Sequence, residues 1–174
     1  MALRQILTEP NEILRQKSLA VEKVDEGVRK LMDDMLETMY AAPGIGLAAI
    51  QVGIPKRVIV LDLASRDKPK NPMYFVNPEI ITKSKNNSTY EEGCLSVPGQ
   101  FAEIDRPETC HIKYLDYNGQ HKEIQAEGML ATCIQHEMDH LEGILFIDYL
   151  SKLKKTMIVK KLSKQKKAVE RIVV

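Results

Sequence analysis

The chain has 174 residues, 25 Lys and Arg against 24 Asp and Glu for a net charge of +1, and 44% hydrophobic residues. This is the balance of a folded globular chain rather than a disordered one, and no apolar run approaches the roughly 18 residues needed to span a membrane. Three Cys without paired spacing suit a reducing cytosol rather than a disulfide framework, and the N-terminal residues lack a signal-peptide core, so a cytoplasmic location is expected.

In chain order, Asp25 predicts the N-cap of a helix running to about Tyr40, with Val28, Leu31, Met32, Met35, Leu36 and Met39 on its apolar face. Pro43 and Gly44 end it, and Gly44-Ile45-Gly46 forms a loop. That loop follows a helix and lacks both a third Gly and the Lys of a P-loop, which argues against nucleotide binding. Its glycines instead let backbone come close to a substrate. The β-branched run from Arg57 to Leu63 predicts a strand, and residues 66–72, rich in Lys, Asp and Pro, an exposed loop. Strands are expected at Tyr74–Lys83, Phe101–Asp105 and Thr109–Tyr117. Asn118-Gly119 signals a hairpin turn before a further strand at His121–Gln125. A helix should run from near Gly128 to near Gly143, and a Lys-rich helix should close the chain. The expected fold class is α+β, with short mixed or antiparallel sheets packed around a central helix and a helix towards each end.

The central helix carries the chemistry. His136-Glu137-Met138-Asp139-His140 is an HExxH pattern. Positions i and i+4 share a helix face, so both imidazoles can reach one cation, with Glu137 beside a water bound to it. At about 100° per residue, Cys133, His136, Glu137 and His140 occupy a stripe of roughly 100°. The bland alternative is a solvated helix carrying these residues by chance. Against it, two of only four His fall here, and Ile134, Leu141, Ile144, Leu145 and Phe146 give an apolar packing surface. The pattern reads as a metal-assisted hydrolase.

Such sites take three protein ligands and leave one position for water. A downstream His in HExxHxxGxxH spacing is missing, because Phe146 stands in its place. Among downstream acids, Glu142 is too close and Glu170 lies in the Lys-rich tail. The upstream candidate is Cys94, in Glu92-Gly93-Cys94-Leu95-Ser96. A thiolate with two imidazoles tolerates zinc, iron, cobalt or nickel, and spacing does not choose among them.

Three segments together resemble the signatures of the peptide deformylases: Gly44-Ile45-Gly46-Leu47-Ala48-Ala49-Ile50-Gln51, Glu92 to Ser96, and Gln135 to Leu141. The resemblance spans nearly the whole chain and is nearest to the common bacterial class. It implies removal of the formyl group from the initiator methionine of nascent peptides. It also implies Cys94, His136 and His140 as ligands of one divalent ion, Fe²⁺ expected, with Zn²⁺, Ni²⁺ or Co²⁺ able to substitute. Glu137 would act as base and then acid, while the Gln51 amide and the Leu95 backbone N–H would stabilise the oxyanion. Gly44, Ile45, Gly46, Glu92, Thr132 and Cys133 would surround the methionine. Ser96 would support the ligands, and Glu92, Arg106 and Asp139 would form either a supporting charge network or ordinary ion pairs. The chain departs from many relatives in placing Phe101 where they carry Arg. Two other readings stay in view. An HExxH endopeptidase needs the downstream ligand that Phe146 denies, and a metal-holding binding module has no need of Glu137 and Gln51.

Charge divides the chain. Residues 151–174 hold eight Lys and Arg171 against Glu170, net +8, and the remaining 16 basic and 23 acidic residues give −7. Residues 1–150 are read as the catalytic deformylase portion and 151–174 as a basic C-terminal helix and tail of the same domain. Leu153, Met157, Ile158 and Leu162 are expected on its apolar face. A single-signed basic cluster binds phosphate backbones. The resemblance implies a ribosomal partner, with the tail on ribosomal RNA near the tunnel exit.

Overall fold

The computed structural model describes residues 2–173, with side chains through residue 168, so Glu170 and Arg171 lie outside the described side chains. Seven strands and three α-helices follow one another: α1 (Glu26–Ala41), β1 (Gly46–Ala48), β2 (Val58–Leu61), β3 (Met73–Lys83), β4 (Asn87–Cys94), β5 (Val97–Pro107), β6 (Thr109–Leu115), β7 (His121–Glu127), α2 (Gly128–Leu141) and α3 (Lys152–Val173). The order β1-β2-β3-β6-β7 makes a five-stranded sheet, and β4 with β5 a separate hairpin. All strand pairs are antiparallel.

Helices cover both faces of the large sheet. Val58 and Val60 of β2 join Val28, Met32, Met35 and Met39 of α1 in one core. Ile59 and Leu61 point the other way, to Phe75, Ile112 and Ile134, Met138 and Leu141 of α2. Period-2 alternation places successive side chains on opposite faces, so with both faces buried β2 reads Val-Ile-Val-Leu without a polar residue. At the N-terminus of α1 the Asp25 carboxylate accepts from the Val28 N–H at 2.9 Å, as an N-cap does.

Between β3 and β6 the register shifts after Val76. There Asn77 takes a left-handed backbone (φ 50°), which Asn tolerates better than most residues. Its side chain accepts from the Val21 N–H and donates to the Val21 carbonyl, both at 2.8 Å, tying the segment before α1 to the sheet.

A third core holds the end of the chain. Leu162 of α3 is buried with Val97 and Ile104 of β5 and with Leu145, Phe146 and Ile147, and Ile158 and Val159 pack against them. The Lys155 ammonium reaches the Asp148 carboxylate at 2.7 Å. The expected apolar face of this helix needs correction. Leu153 and Met157 are 70% and 61% exposed. At about 100° per residue they lie about 100–180° from Ile158 and Leu162, so one domain surface cannot cover all four.

Candidate metal centre and active site

Helix α2 threads the middle of the molecule, packed against β1, β2, β5, β6 and β7, and every residue from Ala131 to Met138 is buried, as are His140 and Leu141. The Gly143 that follows it adopts φ +74° under the Arg15 backbone, where an added Cβ would collide with that carbonyl. His136 and His140 face the turn of the β4–β5 hairpin. Cys94 is the last residue of β4, and Leu95 and Ser96 make the turn, with a register irregularity between Gly93 and Cys94. The Cys94 sulfur sits 3.4 Å from His140 Nε2, and one ligand atom from each of Cys94, His136 and His140 lies within 4.8 Å of the others. Tetrahedral bonds of about 2.3 Å to sulfur and 2.0–2.1 Å to nitrogen put such atoms about 3.6 Å apart. The Cys94–His140 separation matches that edge, and the three donors are close enough for small side-chain shifts to bring them onto one tetrahedral divalent ion, which leaves one position over.

The His136 ring is aimed by a buried relay. Its Nδ1 lies 2.8 Å from Glu92 Oε1, so Nε2 is left to face the other donors. Arg106 donates to both Glu92 oxygens at 2.7 and 3.0 Å and to Asp139 at 2.8 Å. Tyr149 donates to the same Asp139 oxygen at 2.7 Å and lies with its ring 5.0 Å from the guanidinium. Of the two sequence alternatives for these residues, the supporting network is what forms. Burial pushes the Glu92 carboxyl up, but bonds from His136 and Arg106 outweigh it and hold Glu92 below its ordinary value. Phe146, where a downstream ligand would have stood, packs on the His136 ring with centroids 6.2 Å apart.

Glu137 is buried and differently placed. One of its oxygens has no hydrogen-bond partner among the described residues. Burial first, then the carboxylates of Glu92 and Asp139, push it up to about 7 against the opposing pull of His136 and Arg106. Gly46 makes room for it, since a Cβ there would lie 2.7 Å from Glu137 Oε1 and from a Leu61 methyl. Burial, followed by the charges of His136 and Arg106, holds His140 below its ordinary value. The Cys133 thiol is pushed up to about 12 by burial and then by Glu137 and Glu92. It lines the cleft, and the donors that converge on one point are Cys94, His136 and His140.

Gln51 is buried in the short 3-10 helix after β1. Its Oε1 accepts from the Ala48 N–H at 2.9 Å, which fixes the amide orientation. Its Nε2 donates to Ser96 Oγ at 3.0 Å and lies 3.5 Å from the Cys94 sulfur. Gly44 lets the Leu95 side chain approach, since a Cβ there would come within 2.6 Å of it. A cleft of about 440 Å³ opens on this face, lined by Gly44, Ile45, Gly46, Gln51, Glu92, Leu95, Thr132, Cys133, His136 and Glu137. All six residues expected around a substrate line it, though Glu92 is committed to His136. Tyr90, Met129 and the Pro98–Phe101 stretch line it too. Sequence reading gave no signal for Tyr90 or Met129, and none for Tyr149 in the relay.

An ion site with one open position, a carboxylate beside it and an apolar cleft in front suit hydrolysis of an acyl compound. The chain is also similar to known proteins. The sequence model of the family described as Polypeptide deformylase matches residues 3–156. A peptide deformylase of Pelagibacter ubique is 66% identical over 166 residues, covering 95% of this chain and 96% of its own. One from Phenylobacterium zucineum is 60% identical over 168 residues, covering 97% and 99%. The crystal structure of the Ehrlichia chaffeensis peptide deformylase superposes with a TM-score of 0.91 at 44% identity, covering 96% of this chain and 98% of that one. A second structure from that organism, in complex with actinonin, gives 0.91 at 45%. This chain belongs to the polypeptide deformylase family.

Proposed function

We propose that the cleft removes the N-formyl group from the initiator formyl-methionine of newly made proteins and releases formate, with Cys94, His136 and His140 holding the metal. As a family member the chain is a metal-dependent hydrolase. The observation that carries the residue assignment is the convergence of those three donors beside the unpartnered Glu137 oxygen. Fe²⁺ is the proposed working ion, and the thiolate–imidazole set also accepts Zn²⁺, Ni²⁺ or Co²⁺.

A divalent ion held there supplies Lewis acidity and lowers the pKa of a bound water from about 16 towards about 7. Glu137 is the group that takes the water proton, and a carboxyl poised near neutrality can return it to the departing amine. The Gln51 amide and the Leu95 N–H donate to the oxygen on which negative charge develops. Losing one such donor typically costs about 100- to 1,000-fold in rate. Gly44, Ile45, Gly46, Thr132 and Cys133 surround the methionine side chain, and Glu92 acts through His136.

Anaerobically purified protein, incubated with a formyl-Met peptide and its unformylated counterpart, is assayed by mass. Loss of the formyl group from the first alone is expected. Internal cleavage would make the chain an endopeptidase, and no reaction would leave it a metal-holding binding module.

We further propose a cytoplasmic protein whose α3 reaches ribosomal RNA. The support is charge: Lys160, Lys161, Lys164, Lys166 and Lys167 are exposed. No described helix is long and apolar enough to cross a membrane. Deleting the helix would uncover Val97 and Phe146 of the third core, so the informative change is Gln at those five lysines. Ribosome co-sedimentation at low salt should then be lost while short peptides are still hydrolysed.

A further inference from the structure

Two backbone hydrogen bonds tie the N-terminal segment to two separate walls of the active site. The Leu7 N–H donates to the Gln51 carbonyl at 2.7 Å, and the Glu9 N–H donates to the Ser96 carbonyl at 2.8 Å. Gln51 lines the cleft, and Ser96 closes the turn that carries Cys94. One short segment thus spans two loops whose spacing matters to the chemistry, since a misplacement of about 1 Å can cost about 100-fold in rate. Neither Leu7 nor Glu9 lines the cleft itself.

What holds that segment is a single arginine. Glu9 is 7% exposed, which is costly for a carboxylate unless it is paired. Among the described residues its one side-chain partner is Arg15, 3.3 Å from Oε1, and no donor reaches Oε2. Arg15 ends a short 3-10 helix, Glu12–Arg15, anchored by the buried Leu14. The same guanidinium donates to Asp148 Oδ2 at 2.6 Å and to the Gly143 carbonyl at 3.4 Å. Asp148 Oδ2 also accepts from the Leu145 N–H at 3.1 Å, next to the Phe146 that packs on the His136 ring. Gly143 stands three residues after His140. Arg15 therefore joins the segment that holds the Cys94 turn to the segment that leaves the histidine helix. Its forked guanidinium suits two carboxylates at once in a way that a lysine's point charge does not.

We propose that Arg15 is a positioning residue for the metal centre: by clasping Glu9 to Asp148 it sets the spacing between the Cys94 turn and the helix that carries His136 and His140. The proposal rests on those three side chains holding the ion. Without Arg15, Glu9 keeps a buried charge with no counter-ion. Its escape towards solvent carries off the backbone N–H that holds Ser96, and the thiolate moves relative to the two imidazoles.

The test compares Arg15→Met, Arg15→Lys and Asp25→Ala with wild type, each loaded with Co²⁺ without oxygen and measured well below its melting temperature. Asp25→Ala lowers stability by removing the α1 N-cap, a route that involves no residue of the clasp. In Arg15→Met the thiolate-to-cobalt absorption band should shift, and chelator competition should show about tenfold weaker metal binding. Turnover of a formyl-Met peptide should fall by about tenfold with KM within about twofold. Amide exchange at Leu7 and Glu9 should quicken. Arg15→Lys should lie between Arg15→Met and wild type, and it gives the same reading if Arg15→Met does not fold. Asp25→Ala should keep the wild-type band and metal affinity. Band, affinity and exchange decide the matter even if no peptide is hydrolysed, an outcome that would count against deformylation rather than against the clasp. An unchanged band with metal affinity within about twofold in the Arg15 variants, or an equal loss of affinity in Asp25→Ala, would overturn the proposal.

Discussion

Replacing Glu92 with Gln keeps the shape of the side chain and removes its charge. Glu92 is buried and accepts three hydrogen bonds, two from Arg106 at 2.7 and 3.0 Å and one involving His136 at 2.8 Å. Gln has one acceptor oxygen and presents an NH₂ where an acceptor is needed. The guanidinium, 4% exposed, is then left with Asp139 alone. Removing one partner of a buried ion pair costs about 3–5 kcal/mol, and an acceptor oxygen that is kept recovers about 1 kcal/mol of this. A net loss of about 2–4 kcal/mol corresponds to a fall in melting temperature of roughly 4–16 °C for a domain of this size. The His136 ring also loses its anchor, and such supporting groups are worth about 10- to 100-fold in metal affinity. Thermal melts with and without chelator, together with metal competition, read both effects. A Glu92→Gln protein that melts within 2 °C of wild type (about 0.5–1 kcal/mol) and binds metal within about threefold would refute the relay.

Two further changes act on the Glu137 pocket and on the N-terminal anchor at Asp34. Gly46→Ala places a methyl group 2.7 Å from Glu137 Oε1 and from Leu61. Turnover should fall by about 100-fold through displacement of the carboxylate, with about 1–3 kcal/mol lost in melts to overpacking. Asp34 is held below its ordinary value because, although burial raises it, bonds from the Ala2 N–H, Lys30 and Arg4 outweigh that effect. A depressed folded pKa stabilises fully above the unfolded value of about 3.9 and is lost as pH falls through the folded one. The melting difference between wild type and Asp34→Asn should therefore be constant above about pH 5 and shrink below about pH 4.

Helices were the legible part of this sequence. The 3.6-residue period of Val28 to Met39 and the capping Asp25 placed α1 almost to the residue, and the HExxH spacing placed α2. The hairpin that carries Cys94 was half hidden. The β4 sequence, Asn-Ser-Thr-Tyr-Glu-Glu-Gly-Cys, is polar and pairs only with β5, so it shows little apolar alternation. Its two-residue turn, Leu95-Ser96, has none of the Gly or Asn that mark tight turns. For that reason β5 was expected from Phe101, whereas it begins at Val97. Three-residue β1 lies below what any periodicity can reveal. Cys94 could be nominated because downstream ligands were missing and the local motif was familiar. The relay could only be guessed, since Arg106 meets Glu92 and Asp139 across 14 and 33 residues of chain. In α3 apolar residues lie on two faces, and contact with Leu145 to Ile147 decides which one docks.

The central claim is that Cys94, His136 and His140 hold the ion while Glu137 moves the proton. Its most direct test is Glu137→Gln, with bound metal and deformylation of a formyl-Met peptide measured on the same preparation. Metal content close to wild type and turnover reduced by about 100- to 10,000-fold are expected. Metal lost in proportion to activity, or activity retained, would contradict it.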